Sequence, residues 1–442
     1  MNFRQIADSV LKASAAQETE VVIMAQDDSL TRFANNSIHQ NVTESNVQVT
    51  VRSVIDTRVG TAVSNDIRSE SLSRLAQRAY ELAKLQPPNP EFKGLPLPQP
   101  LPSVAAFDQA TAECAPETRA AVAGTICREA AGIGCIAAGS VTTAAVRVCV
   151  ANSHGVFAEY QTTAADCSTV IMGSTSSGWA QASGWKVNEI IPEELAGEAL
   201  TKVRLGTEPK DFPPGEYTVI LDPYATANLL EMLAFDGMGA LAVQEGRSWM
   251  NTRSGRKAMA GIVTIVDDGL DVSGLPMPFD FEGMPKRAVP IVESGVVMDP
   301  VYDSFTAGRE PGKSSTGHAS PPSPAVRYGP LPMNLFLRPG STELNDMIRT
   351  TKLGIYITRF WYTRTVHPRD AVVTGMTRDG TFVIRDGEIA YPIKSLRFTQ
   401  SYVEALHDAE AIGPRARVLR SGGALSVPPV KLGKFRFTSS TR

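Results

Sequence analysis

LLEMLAFDGMGALAVQEGRSW (residues 229–249) is the stretch on which the reading of this chain turns, together with FDFEG (residues 279–283). Over 227–236 apolar side chains recur at helical spacing, with Leu230, Leu233 and Ala234 on one stripe, before Gly237 and Gly239 break the pattern. The spacing predicts a short helix ending in a glycine-rich turn. Two carboxylates, Glu231 and Asp236, ride on it five positions apart, about 140° around an ideal helix. They converge only if the helix loosens between them, and Gly237 is the residue that would allow it.

Outward from this stretch, the totals set bounds. At 442 residues the chain exceeds the usual single domain, so two are expected. The hydrophobic share of 43% and charged share of 20% are ordinary for a globular protein. A net charge of -3 leaves no basic footprint, so direct nucleic-acid binding is not expected. Arg415, Arg417, Arg420, Lys431, Lys434 and Arg436 cluster near the C-terminus and read as a solvated tail. The five cysteines include no CxxC pair, and MNFRQIADSVLKASA at the N-terminus lacks the apolar core of a signal peptide. Small core thiols in a cytoplasm are the expectation, and no apolar run is long enough to span a membrane.

The first half reads as an N-terminal α/β domain, residues 1–208. An amphipathic helix over 2–16 carries Phe3, Ile6, Val10 and Leu11 on one side. β-rich runs follow at 19–25, 30–34, 37–44, 46–55 and 58–64, separated by Asp-Asp, Asn-Asn and Asp-Thr turns. A helix is predicted over 69–85 with Asp66 or Ser69 as its cap. QPPNPEFKGLPLPQPLPS (86–103) is a surface crossing within the same domain. Helices over 116–131 and 192–204 enclose strands at 139–150, 155–163 and 167–174.

EPKDFPPG (208–215) is the expected boundary, and 215–442 the second domain. After the strand at 217–221 and the helix with the two carboxylates, many short strands follow closely: 262–267, 287–293, 296–301, 333–337, 354–362, 370–377, 380–385 and 388–396. That density without long helices predicts a barrel-like or large antiparallel β core, so the fold class is α+β. The Asp-Gly pairs at 379 and 386 read as hairpin turns, and 401–412 as a last helix.

Seven phrases, in order, resemble the TldD/PmbA family, also described as TldD and TldE metallopeptidase subunits and as modulators of DNA gyrase. They are QEGRSWM (244–250), IVDDG (265–269), FDFEGMP (279–285), IVESGVVMDPVYDSFTA (291–307), SSTGHA (314–319), PMNLFLRPG (332–340) and LGIYI (353–357). The resemblance implies that active members are zinc peptidases with an HExxxH helix and a cysteine ligand farther on. In such a motif two imidazoles hold the metal and the glutamate acts as base on a metal-bound water. The corresponding positions here are Glu231, Met232 and Asp236, and no cysteine follows them. A methionine cannot serve as a general base. The pattern is similar to the TldE or PmbA side of the family, which lacks the zinc helix and associates with a TldD-type zinc peptidase subunit.

Alternatives stand beside each candidate residue. Glu231 and Asp236 form an oxygen-rich site for an ion harder than zinc, or a solvated helix residue and a brace for the glycine turn. His318 faces a groove, or is a turn histidine bonded to local backbone. Asp280 and Glu282 orient a substrate, or Asp280 makes a side-chain turn before Gly283. Ser315, Thr316 and Asn334 are further candidates for binding substrate, although Ser315 and Thr316 lie in GKSST, which lacks the glycine spacing of a P-loop. Asn334 and Gly340 fix backbone geometry, and Trp249, Phe279 and Trp361 line a peptide groove or pack in the core.

The preferred function is a noncatalytic or degenerate subunit that shapes a peptide chamber and supports proteolysis by a zinc-bearing partner. The alternatives are a self-sufficient metallopeptidase using Glu231 and Asp236, and a protein-binding modulator without hydrolase activity. No cofactor is expected on the first reading, and zinc or another divalent metal only on the second. By analogy a homo- or heterodimer with a shared interior is implied, open to unfolded peptide substrates.

Overall fold

A computed structural model describes residues 2–323 and 329–440. The first half is built on a six-stranded antiparallel sheet ordered Arg58–Ser64, Ser37–Ile55, Glu18–Ala34, Ile136–Asn152, Phe157–Met172 and Ser177–Gly184. Two hairpins are much longer than the sequence pattern predicts. Asp27 and Asp28 do not turn the chain but pair across to Ser45 and Glu44, within one strand of 17 residues. The true turn is at Asn35 and Asn36, both with positive φ (51° and 58°), as two-residue hairpin turns require. The strand Ser177–Gly184 has no counterpart in the sequence pattern, because SGWAQASG is too rich in small residues to show a β signal.

Alternation along these strands sorts their side chains onto two faces. Val21 and Ile23 pack with Val49 and Val51 against the helices Phe3–Ala13 and Ser69–Leu85. Burying Phe3, Ile6 and Val10 there stabilises by roughly 1.5–3 kcal/mol for each large side chain. The helices Pro116–Gly132 and Pro192–Leu205 cover Val141, Cys167 and Ile171 on the adjoining part of the sheet. Val22, Val148, Val150 and Tyr160 form a separate core with Phe279 of the FDFEG segment. The sheet is therefore buried on both faces, which is why VVIM (21–24) reads as an unbroken apolar run.

In the second half, Gly215–Leu221, Leu353–His367, Val372–Arg385, Leu396–Ser401 and Val430–Ser440 close into a five-stranded barrel. The fold class is α+β, as expected. Closure comes from pairing of Leu353–His367 with both Gly215–Leu221 and Val372–Arg385. A second sheet, mixed and six-stranded, includes Ile265–Asp267 and Asn334–Leu337. Three expectations fail here. Asp379 and Gly380, with φ of 56° and 134°, lie within the strand Val372–Arg385 where its pairing with Leu353–His367 shifts register, so they bend a continuous strand. Asp386–Gly387 is a genuine hairpin turn between paired Arg385 and Glu388. The expected last helix stops at His407 and gives way to the strand Ala409–Ile412. The C-terminal basic cluster is not a solvated tail either: Lys431 is buried in a barrel strand with Glu410 at 3.2 Å, and Arg417 pairs with Glu198 at 2.8 Å.

Candidate functional site

The predicted helix extends over Pro223–Gly237 and packs Leu229, Leu230 and Leu233 into the main core of the second half. It begins with proline at its first turn, where the missing N–H is no loss. Its end is held by two side chains from the stretch that follows. Ser248 Oγ donates to the Gly237 carbonyl at 2.7 Å, and Trp249 Nε1 to the Leu233 carbonyl at 2.8 Å. Trp249 is thus a fully buried latch, not a groove residue.

The helix stays regular through Gly237, so Glu231 and Asp236 diverge instead of converging. Glu231 accepts a hydrogen bond from Ser421 and borders a cavity of about 430 Å³ with Trp179, Arg359 and Trp361. Arg359 stacks over Trp179 at 4.0 Å and ion-pairs with Asp379 at 3.2 Å. Asp236 is buried and both its oxygens take the Thr365 hydroxyl, at 2.8 and 2.7 Å. It therefore braces the helix to the strand Leu353–His367, not to the glycine turn. Burial raises both carboxyl pKa values, and the hydroxyl bonds offset part of that rise.

The other predicted residues gather in a second network beneath the N-terminal sheet. His318 is fully buried, with Nε2 2.8 Å from Asp267 Oδ1 and Nδ1 2.9 Å from Thr316 Oγ1. Burial lowers the imidazole pKa and Lys286 adds to the effect, so the ring is neutral near pH 7. Nε2–H donates to Asp267, and Nδ1 accepts from the Thr316 hydroxyl. Burial alone would raise Asp267, but the interaction with His318, the charge of Lys286 and the Asn334 backbone N–H at 2.8 Å hold it below its ordinary value. His318 thus bonds to side chains, away from any groove. Asn334 fixes backbone, donating to the Asp268 and Asp271 carbonyls and accepting from Leu275 N.

Asp280 makes the turn ahead of Gly283, whose φ is +74°. Its Oδ1 accepts from Glu282 N and Met284 N, and its Oδ2 from Ala319 N, tying FDFEG to STGHA. Ser315 Oγ accepts from Gly317 N and closes the local turn. Glu282 points the other way, to Arg52 Nη2 at 3.3 Å and Ser304 N at 3.0 Å. Arg52 also holds Glu20 at 2.9 Å. Phe279 is buried against the sheet, while Trp361 remains 41% exposed. Sequence reasoning missed Glu20, Arg52, Asp267, Lys286 and Asp303. A lone Glu heading the apolar EVVIM was the available signal for the first.

Residues 214–439 match the profile described as the PmbA/TldA metallopeptidase C-terminal domain, and residues 19–83 that of metallopeptidase domain 1. The chain belongs to the PmbA/TldD family. Similar sequences include a metalloprotease from Methanothermobacter thermautotrophicus, 25% identical over 51% of this chain and 49% of its own, and a TldD homologue from Buchnera aphidicola, 24% identical over 51% and 46%. The chain thus spans about half the length of the curated relatives it matches. The crystal structure of TldE from Thermococcus kodakarensis shares its fold, with a TM-score of 0.90 and 19% identity over 99% of this chain and 100% of that one.

PmbA/TldD members of the zinc type imply a metal on this helix, and the donors here do not fit one. Zinc sites use imidazole, thiolate and carboxylate in a converging set of at least three protein ligands. This helix offers two diverging carboxylates, each bound to a hydroxyl, and among the described residues no group of three His, Cys, Asp or Glu side chains is arranged to hold a metal. No helix among the described residues is long and apolar enough to cross a membrane.

Proposed function

We propose that this PmbA/TldD-family chain is a noncatalytic subunit of the TldE or PmbA type, which shapes a peptide-binding chamber and supports proteolysis by a TldD-type zinc-bearing partner. The observation that carries this reading is the substitution of the zinc helix: Glu231, Met232 and Asp236 stand at the HExxxH positions, and both carboxylates are engaged as structural acceptors. The regions 1–208 and 215–442, taken as two domains, supply the chamber walls. Two features support a partner and a peptide. Phe235, Trp361, Tyr362 and Val366 expose apolar surface on the carboxylate helix and the strand braced to it. Beside them, the cavity bordered by Glu231 and Arg359 presents aromatic rings together with charges of both signs, a lining suited to an extended peptide. The free thiols at Cys114, Cys127, Cys135, Cys149 and Cys167 support a reducing cytoplasmic setting.

The test is to purify the chain alone and together with a family member that retains HExxxH, then assay cleavage of an unstructured peptide. The expected result is no cleavage and no stoichiometric metal alone, co-elution with the partner, and cleavage only by the pair. Cleavage by the chain alone, lost in Glu231→Ala and Asp236→Ala, would overturn the proposal.

A further inference from the structure

Away from the carboxylate helix, a cavity of about 720 Å³ opens between the N-terminal sheet and the FDFEG segment. Glu20, Arg52, Glu282 and Asp303 line it. Period-two alternation places Glu20 on the same face as Val22, toward FDFEG, and Arg52 is its cross-strand partner. One nitrogen, Arg52 Nη2, serves both Glu20 Oε2 and Glu282 Oε1. Glu282 Oε2 and Asp303 Oδ1 are further satisfied by the backbone N–H groups of Ser304 and Thr306. Among the described residues nothing satisfies Glu20 Oε1, although Glu20 is only 1% exposed, and Arg52 Nε beside it is likewise a buried donor with no partner there. A buried acceptor left in that state costs about 1–3 kcal/mol unless a donor reaches it.

The charge is unbalanced in the same sense. Among the described residues, three carboxylates, Glu20, Glu282 and Asp303, gather around one guanidinium, that of Arg52. The other arginine among the described lining residues, Arg309, is paired with Glu91 at 3.1 Å. The missing component is therefore a cation with N–H donors. A bare metal ion does not suit the space, because no metal-holding group of three exists among the described residues and the volume far exceeds one ion. Phe92, Phe281, Pro321 and Pro322 add apolar surface to the same lining.

We propose that this cavity binds an organic ammonium ligand with an apolar body, its N–H groups donating to Glu20 and its body lying against Phe92 and Phe281. The site is independent of the subunit role proposed above. It also gives a role to Arg52, which holds Glu20 and is itself tied to Glu282 at the junction of the two halves.

The experiment is calorimetric titration of the full chain with phenethylammonium chloride at about pH 8, above the value of about 7 to which burial pushes Glu20, so that its carboxyl is ionised. Titrations with 3-phenylpropionate and with magnesium chloride run in parallel. Saturable binding of phenethylammonium is expected, at least tenfold tighter than the carboxylate, and reduced at least tenfold in Glu20→Gln. Leu241→Trp, which adds bulk to the cavity lining without altering its charge, is expected to weaken binding at least tenfold and covers the case in which Glu20→Gln does not fold. Glu44→Gln, on the exposed part of the same sheet, is expected to bind as the unaltered chain does. No saturable heat with folded protein, equal binding of the carboxylate, a preference for magnesium, or full binding by folded Glu20→Gln or Leu241→Trp would each overturn the assignment.

Discussion

His318 Nε2 lies 2.8 Å from Asp267 Oδ1, and neither side chain has any exposed surface. Asp267 in turn accepts from Asn334 N, while His318 reaches Thr316, so one buried pair joins three of the segments that resemble the family: IVDDG, SSTGHA and PMNLFLRPG. The pair is a structural joint. Removing the imidazole leaves a buried carboxylate short of a donor, and His318→Ala should lower stability by about 3 kcal/mol in denaturant titration at pH 7. A loss under ~1 kcal/mol would show that the joint carries little.

The sign of its pH dependence follows from both shifts. Asp267 is depressed in the folded state, so its contribution is present above the unfolded carboxyl value and is lost as pH falls through the folded one. His318 is also depressed, so below its ordinary 6.5 the unfolded chain takes up a proton that the folded chain refuses. Both effects weaken the fold on acidification. The stability gap between the unaltered chain and the double variant Asp267→Asn, His318→Ala should therefore narrow as the pH drops from 7 toward 4, through His318, and narrow further below the ordinary carboxyl value, through Asp267.

Glu20 behaves in the opposite sense. Burial is the largest influence on it, and although Arg52 opposes the rise, its pKa is pushed up to about 7 from 4.5. Between those values the folded chain holds the proton more tightly, and stability falls as pH rises through them. Glu20→Gln removes this penalty. Relative to the unaltered chain, the variant should gain about 2 kcal/mol between pH 5 and pH 8, read from paired denaturant titrations. A difference that is flat with pH would mean that Glu20 stays ionised throughout.

Much of the fold was legible because local chemistry and tertiary structure agree. Ser69–Leu85 is the predicted helix to the residue, and the Asn35–Asn36 and Asp386–Gly387 turns fall where left-handed backbone is cheapest. The failures have physical causes. Asp27–Asp28 and Asp379–Gly380 carry turn chemistry, yet Asp27–Asp28 is paired to a strand on each side, and Asp379–Gly380 is a bulge held between the paired residues Arg378 and Thr381. At the candidate site, the departure from HExxxH could be read directly, but Ser421 and Thr365, which occupy the two carboxylates, lie 190 and 129 positions away. No local pattern identifies such partners. The Glu20–Arg52–Glu282 cluster joins the two halves of the chain and was invisible for the same reason.

Gly237 is required by packing. A Cβ placed there would lie 2.4 Å from Trp249 Cδ1 and 2.7 Å from Ser248 Oγ, the two residues that hold the helix end. Helix propensity alone would favour alanine by about 1 kcal/mol. Displacing a fully buried tryptophan outweighs that, because overpacking costs about 1–3 kcal/mol and the Nε1 bond to Leu233 would also be strained. Gly237→Ala should therefore be destabilising by about 2 kcal/mol and should red-shift tryptophan emission as Trp249 meets water. A stabilised variant with unchanged emission would show that Trp249 can move at little cost.

The brace between Asp236 and Thr365 separates the structural reading of the carboxylate helix from a metal-binding one. Thr365→Val keeps the side-chain shape but removes the hydroxyl that both Asp236 oxygens share, leaving a buried carboxylate without its donor. The expected cost is about 1–3 kcal/mol at pH 7. It should shrink on acidification, because Asp236, already raised by burial and no longer held down by the hydroxyl, becomes neutral more readily. In the background Asp236→Asn the same Thr365→Val change should cost less, so a double-mutant cycle should return a coupling above about 0.5 kcal/mol. Were the carboxylates metal ligands instead, adding zinc or manganese would raise the melting temperature of the unaltered chain and not that of Asp236→Asn. The brace predicts no metal-dependent difference between the two, since Thr365 already occupies the oxygens a metal would need.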